Sequence, residues 1–211
     1  MPRTPMTNRA YDILYRRMVC CEYLPGQNIS EKLLLEETGL GRTPLREALL
    51  RLQKEGLVEI FPRKGMRVAP FTEKNVTDLY QTRKLLEPTV IAEYKTLYSK
   101  GTLLQFQKRF EQSEQDEDFA HFELDVEFHS YLISITDNKI LTDMYHTLMV
   151  QQLRLAMYAS LKSPGNRSGN LEQHARVIDA LLRENEQDAR DAIIFHINHS
   201  LITSLKAIRL T

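Results

Sequence analysis

Asp125 and His129 stand four residues apart in "LDVEFHS", so on a helix their side chains leave one face together. His174 opens "HARVIDALL" and His196 lies in "AIIFHINHS", each within its own run of helically spaced apolar residues. Apolar residues flank all of them at helical spacing: Phe128 and Leu132, Val177 and Ile178, Ile193 and Ile197. These polar groups therefore face an apolar interior, where each needs a metal ion or a hydrogen-bond partner. One carboxylate and three imidazoles converging from three helices would make a metal site in a bundle core. Such donors suit zinc, nickel, manganese or iron without choosing among them. The plainer reading stays open for each, since a lone histidine on an apolar helix face is more often a hydrogen-bonded core residue. His121 and His199 fall close to the same register, and His146 has no partner in the pattern.

A second chemistry lies in "GRTPLREALLRLQKEGLVEIFPRKGMRVAPF", residues 41–71. Arg42 and Arg46 share one face of a helix that begins near Thr43, while Leu45, Leu49 and Leu52 lie on the other side. Guanidinium groups at the front of a helix can contact guanine or phosphate in pairs. Thr43 and the backbone amides of this helix start can hold a phosphate. Beyond it, Arg63 and Lys64 sit at the tip of an expected hairpin, where Gly65 permits the turn and a close approach. Solvated surface arginines are the ordinary explanation for one such pair. A pair, a helix-turn-helix spacing and a basic hairpin in sequence make a nucleic-acid surface the better account.

The elements that must position these groups divide into two sets. Residues 7–22 have Tyr11, Leu14, Tyr15 and Met18 at helical spacing, and "LPGQ" (24–27) is a turn. "SEKLLLEETGL" is a short helix capped by Ser30 and ended by Gly39. Pro44 fits the first turn of the next helix, which stops at Gly56. "LVEIF" and "MRVAPF" are two short strands about "PRKG". This order is that of a winged helix-turn-helix. From residue 73 the pattern is helical throughout, with helices expected over 73–98, 102–118, 120–136, 138–162, 168–184 and 186–208 and the clearest loop at 163–170. The fold class is mainly α: a winged helix-turn-helix domain over 1–71 and an all-helical bundle of about six helices over 72–211.

Composition sets the outer limits. With 42% apolar and 27% charged residues the chain is that of a globular protein. No apolar run approaches a membrane span of about 18 residues, and the first ten residues lack the apolar stretch of a secretion signal, so a cytoplasmic location is expected. Cys20 and Cys21 are adjacent, which excludes an ordinary bridge between them and fits buried thiols on the first helix. Net charge is zero overall, but residues 1–71 hold twelve Lys and Arg against eight Asp and Glu, and residues 72–211 carry the compensating acidic excess. A basic front and an acidic back point to two units with different partners.

Residues 7–71 resemble the DNA-binding domain of the GntR family of bacterial transcription regulators, on "ISEKLLLEETGLGRTPLREALLRLQKEGLV" and the wing "PRKGMRVA". The family's helix start has serine where this chain has Gly41, which removes a hydroxyl that could cap the helix or touch a phosphate. The resemblance implies that Lys32, Arg42, Thr43, Arg46 and Gly65 face DNA; Arg63 and Lys64 join them by position on the wing. The second half is similar to the FCD effector domain of the FadR subfamily, and six helices resemble its VanR-like branch. The motifs are Arg83 with Glu87, Asp125 with His129, then His174 and His196. The resemblance implies a divalent metal at the last four and a small carboxylate effector beside it. Arg83 is the residue expected to meet that carboxylate, because guanidinium pairs with it through two hydrogen bonds; the alternative is a surface Arg83–Glu87 pair. Asn138 and Tyr94 are weaker candidates for the pocket wall.

The expected function is a ligand-responsive regulator, most commonly a repressor in this family. Its expected partners are double-stranded DNA bearing a palindromic operator, a small carboxylic acid and a second copy of the chain. A metal-dependent enzyme is the first alternative, and no general base with a clear role supports it. A bundle that only dimerises is the second.

Overall fold

The structure, a computed structural model, describes residues 5–163 and 168–210. The chain divides into two compact units, Met1–Phe71 and Thr72–Thr211. In the first, α1 (Pro5–Val19) is followed by β1 (Asn28–Ile29), α2 (Glu31–Thr38), α3 (Arg42–Lys54), β2 (Val58–Phe61) and β3 (Gly65–Val68). Helix α1 buries Ala10, Tyr11, Leu14 and Met18 and packs against α3, which buries Leu45, Ala48, Leu49 and Leu52. Ser30 caps α2 by accepting from the Leu33 amide at 3.2 Å, and Gly39 ends it in the left-handed conformation with φ of 64°. Helix α3 starts without such a cap, because Gly41 offers no side chain. Pro44 costs nothing in its first turn, where amide donors have no intrahelical partner anyway.

The sheet is antiparallel in the order β1-β3-β2, with Ile29 opposite Met66 and Ile60 opposite the same residue. The short β1 was not expected; two residues with one buried side chain leave no alternation to read. The turn between β2 and β3 closes with the Lys64 amide donating to the Phe61 carbonyl at 3.0 Å. Pro62 leads this turn and Arg63 takes a left-handed φ of 64°, so the strained position is Arg63 as well as Gly65, at φ of 101°. The cysteines follow α1 instead of lying within it: Cys21 is buried at a left-handed φ of 58°, just past the last helical turn.

Among the described residues the second unit contains α4 (Glu73–Tyr94), α5 (Lys100–Gln112), α6 (Asp118–Ser134), α7 (Lys139–Lys162), α8 (Ser168–Leu182) and α9 (Glu186–Arg209). Thr72, Ser99, Asn138 and Asn185 each cap the following helix through a side-chain oxygen. Helix α4 ends four residues earlier than expected and passes into a 3-10 turn, Lys95–Leu97; a second such turn, Ser113–Gln115, follows α5. Residues 164–167 of the expected 163–170 loop lie outside the described residues. Helix α9 packs against α4, α7 and α8, while α6 packs on α7 and α4. The interior between them receives residues from α4, α6, α8 and α9, and there the polar groups meet.

Candidate functional site

Asp125 and His129 leave one face of α6 and point inward, with His174 from α8 and His196 from α9 arriving opposite; all four are buried. One donor atom from each lies within 4.8 Å of all the others. His129 Nε2 is 3.1 Å from His196 Nε2 and 3.4 Å from His174 Nε2. Asp125 Oδ1 is 3.0 Å from His174 Nε2 and 3.8 Å from His129 Nε2. Donors about 2.1 Å from one ion, at angles of roughly 90° to 110°, stand about 3.0–3.5 Å apart; the 3.0, 3.1 and 3.4 Å separations match that spacing, and the 3.8 Å separation of Asp125 from His129 is wider, so binding an ion would draw the donors together.

The hydrogen bonds behind the rings decide which nitrogens are available. His129 Nδ1 is 2.8 Å from Glu87 Oε2. A carboxylate only accepts, so Nδ1 carries the proton and Nε2 presents its lone pair. His196 Nδ1 is 3.1 Å from Gln173 Oε1, which fixes the same tautomer there. Two lone pairs therefore face each other across 3.1 Å, an arrangement that repels unless a positive centre lies between them. Burial pushes the pKa of His129 down and that of His196 well down, which keeps both in the neutral, ligating form. Burial works against the Asp125 charge, yet the carboxyl is held below its usual range, with His174 Nε2 in hydrogen-bond contact with its Oδ1 at 3.0 Å. His174 is held by stacking on the Phe110 ring, with centroids 4.3 Å apart.

Behind the cluster is a buried polar chain that sequence patterns did not reveal. Glu87 accepts from Arg83 Nε at 2.6 Å, from the Tyr145 hydroxyl at 2.7 Å and from His129 Nδ1 at 2.8 Å. The Arg83–Glu87 pair is intrahelical, as the plainer expectation had it, but both side chains are buried instead of on the surface. Among the described residues Arg83 Nη1 has no hydrogen-bond partner. Metal-ligating histidines commonly give their second ring N–H to a carboxylate or carbonyl, and Glu87 and Gln173 stand in those places. His121 is buried but turned to Ser113 Oγ at 3.0 Å, outside the cluster, and His146 is exposed.

A cavity adjoins the cluster through Asp125, with Tyr80, Gln152, His199 and Ser204 among its walls. Arg83 is not among the residues that line it, nor are Asn138 and Tyr94. Asn138 is exposed and caps α7, and Tyr94 packs against the Val90, Ile133, Tyr145 and Met149 core.

In the first unit Arg42, Thr43 and Arg46 are exposed at the front of α3, and Lys32 is exposed on α2. A groove of about 420 Å³ between these helices is lined by Lys32, Arg42 and Arg46, together with Glu31 and Glu36. Arg46 Nε donates to both Glu31 oxygens, at 3.1 and 3.0 Å, which orients the guanidinium while its terminal nitrogens take no part in that contact. Glu31 is a functional candidate that charge counting hides, since an acid in a cationic surface reads as a loss. Arg63, Lys64 and Gly65 are exposed at the wing tip.

Comparison with known proteins agrees with both halves. The model of the bacterial regulatory proteins, gntR family, matches residues 6–68, and that of the FCD domain matches residues 78–199. The HTH-type transcriptional repressor RspR of Escherichia coli is 27% identical over 216 residues, covering 99% of this chain and 92% of that one. The Nta operon transcriptional regulator of Aminobacter aminovorans is also 27% identical, over 90% of each chain. A putative GntR transcriptional regulator from Rhodococcus sp. RHA1 shares the fold with a TM-score of 0.81 at 19% identity, over 96% of this chain and 99% of that one. The metal-free FCD domain of TM0439 superposes with a TM-score of 0.57 at 15% identity, over 68% of this chain and all of that one. No helix among the described residues is long and apolar enough to cross a membrane. These families and relatives are regulators of transcription and not enzymes. With an FCD model over more than half its length behind a gntR-type DNA-binding unit, the chain belongs to the GntR family of bacterial transcription regulators that carry an FCD domain.

Proposed function

We propose that this chain represses transcription from a palindromic operator as a homodimer and that a small carboxylate, bound beside a divalent metal in the helical unit, controls its grip. The observation that carries this reading is the set of four buried donors gathered within 4.8 Å of one another, next to a cavity that shares Asp125. Asp125, His129, His174 and His196 hold the ion, and the donor set admits zinc, nickel, manganese or iron. Once bound, the ion supplies a positive centre to which a carboxylate can attach. Arg83, Glu87 and Asp125 together carry one net negative charge, so a divalent ion leaves one positive charge, which a monocarboxylate neutralises.

Arg83 acts in this reading through Glu87: it holds the carboxylate that orients His129, and it does not meet the effector itself. On the DNA side, Arg46 and Arg42 enter the major groove from the first turns of α3, Thr43 and Lys32 hold phosphates, and Arg63, Lys64 and Gly65 reach the backbone from the wing. Two copies give the twofold symmetry that a palindrome matches, and the effector shifts the balance between DNA-competent and incompetent arrangements.

Operator binding by the full chain tests it. A palindrome from its own promoter region should bind with steep salt dependence. Arg46→Ala should cost about 1–3 kcal/mol if the residue reads a base. If Arg42→Ala and Arg46→Ala both leave binding unchanged, α3 is not the reading element.

A further inference from the structure

The groove between α2 and α3 sets a carboxylate against one of the arginines that would meet DNA. Glu31 is the first residue of α2 and follows the Ser30 cap directly, so its backbone is fixed. Its carboxylate accepts from Arg46 Nε through both oxygens, at 3.1 and 3.0 Å. Among the described residues the two terminal nitrogens of Arg46 have no partner. Glu31 thus takes the Nε end of the guanidinium and leaves the Nη1–Nη2 edge open. Exposure follows the same division: the Arg46 side chain is 65% exposed and that of Glu31 28%. Arg42, Arg63 and Lys64 differ, since none of them has a carboxylate partner among the described residues.

Such a pair is a loss on a surface built only to attract phosphate. Glu31 cancels the Arg46 charge, so the pair adds no net charge to the counterion exchange behind sequence-blind binding. An exposed ion pair also contributes little to stability. What it supplies is direction. A free arginine can swing to the nearest phosphate, which carries no sequence information. An arginine held at Nε presents Nη1 and Nη2 as a fixed fork, and guanine offers O6 and N7 as matching acceptors in the major groove. The rotamers that binding would freeze are already restricted.

We infer that Glu31 is a positioning residue for base readout, holding Arg46 so that its terminal nitrogens meet a guanine and not a phosphate. Glu31 has this role only if α3 lies in the major groove, the reading proposed above, which it deepens: Arg46 makes the contact, and Glu31 decides what is contacted. Arg42, Arg63 and Lys64 carry the uncompensated charge that draws the backbone.

The full chain selects a duplex from a random pool. Binding is then measured to that duplex, to each single-base-pair substitution in one half-site, and to an unrelated duplex at the same salt. Arg46→Ala identifies the position whose discrimination is lost; in the parent protein that position should favour G·C over A·T by about 5- to 100-fold. Glu31→Ala should lose most of that ratio at the same position and keep the ratios elsewhere. It should bind the unrelated duplex as tightly as the parent or tighter, because an acidic group has left the surface. Combining it with Arg46→Ala should reduce discrimination no further than Arg46→Ala alone. Where Glu31→Ala does not fold, Glu31→Gln, which keeps one acceptor oxygen, is read in the same way and should show an intermediate ratio. An unchanged ratio at the Arg46 position overturns the role of Glu31, even if the duplex is bound more tightly, since Glu31 would then only repel DNA. Ratios lost at every position together with weaker binding of the unrelated duplex also overturn it, since Glu31 would then only support α2. If no sequence is selected, or if Arg42→Ala and Arg46→Ala leave every ratio unchanged, the reading of α3 falls on evidence that does not involve Glu31.

Discussion

Replacing Glu87 by glutamine probes the polar chain behind the metal cluster, and the structure sets the size of the effect. The carboxylate accepts from Arg83, Tyr145 and His129 at 2.6, 2.7 and 2.8 Å, and all four residues are buried. Burial opposes its charge, yet Arg83 and then His129 outweigh it and hold the carboxyl at about 2, down from 4.5. Depression of that size corresponds to about 3 kcal/mol at neutral pH. The sign follows from proton uptake: the unfolded carboxylate takes a proton more readily, so this stability is present above pH 4.5 and lost as pH falls towards 2. Mutational experience gives a similar figure, since removing one member of a buried ion pair costs about 3–5 kcal/mol. Glutamine keeps the shape but leaves the Arg83 guanidinium without a counter-charge. In the presence of a chelator we expect Glu87→Gln to lose about 3 kcal/mol in denaturant unfolding, with the melting temperature of the helical unit lower by roughly 6–12 °C. Adding Arg83→Met should recover part of that loss, because the uncompensated charge is gone. Metal affinity should fall about 10–100-fold in the single variant, because His129 loses the carboxylate that fixes its tautomer. A single variant within about 0.5 kcal/mol of the parent would refute the reasoning. So would a double variant whose loss equals the sum of the two single losses.

Three further outcomes can be read with the same protein. Arg63 holds a left-handed φ of 64° after Pro62, a conformation that costs a non-glycine residue about 1–2 kcal/mol. Allowing for the greater freedom of glycine in the unfolded chain, Arg63→Gly should raise stability by about 0.5–1 kcal/mol while weakening operator binding and lowering its salt slope by about one; a less stable variant contradicts the turn assignment. Chelation should lower the unfolding free energy by about 2.7 kcal/mol relative to protein in free metal at about 100 times its dissociation constant, and an unchanged melt would remove the metal from the account. Burial depresses the pKa of His121, His129 and His196 below 6.5. The unfolded chain therefore takes up protons that the folded one refuses, so chelated protein keeps full stability above pH 6.5 and loses it as pH falls below; a flat melting profile from about pH 7 to about pH 5 counts against neutral buried rings.

What the sequence made legible follows from which interactions repeat along a chain. The periodicity that places Leu45, Leu49 and Leu52 inside is local, and so are the caps at Ser30 and Gly39; helices and the wing could be read from them. The i, i+4 pair Asp125 and His129 is also a local pattern, which is why the cluster was legible before its geometry was known. The environment of Arg83 was not, because the same i, i+4 spacing with Glu87 serves a surface pair and a buried one equally well. What separates them is that α4 is covered by both α9 and α6, and no single-face periodicity records a helix buried on two sides. Gln152 was hidden for the same reason: a polar residue within α7 announces nothing until Tyr80 and Ser204, from α4 and α9, close the wall around it. Both cases involve groups with partners more than forty residues away in sequence, and in both the buried polar atom, not the apolar frame, carries the chemistry. The apolar pattern thus determines where the cavity can form, while the few buried polar groups inserted against that pattern determine what it can hold.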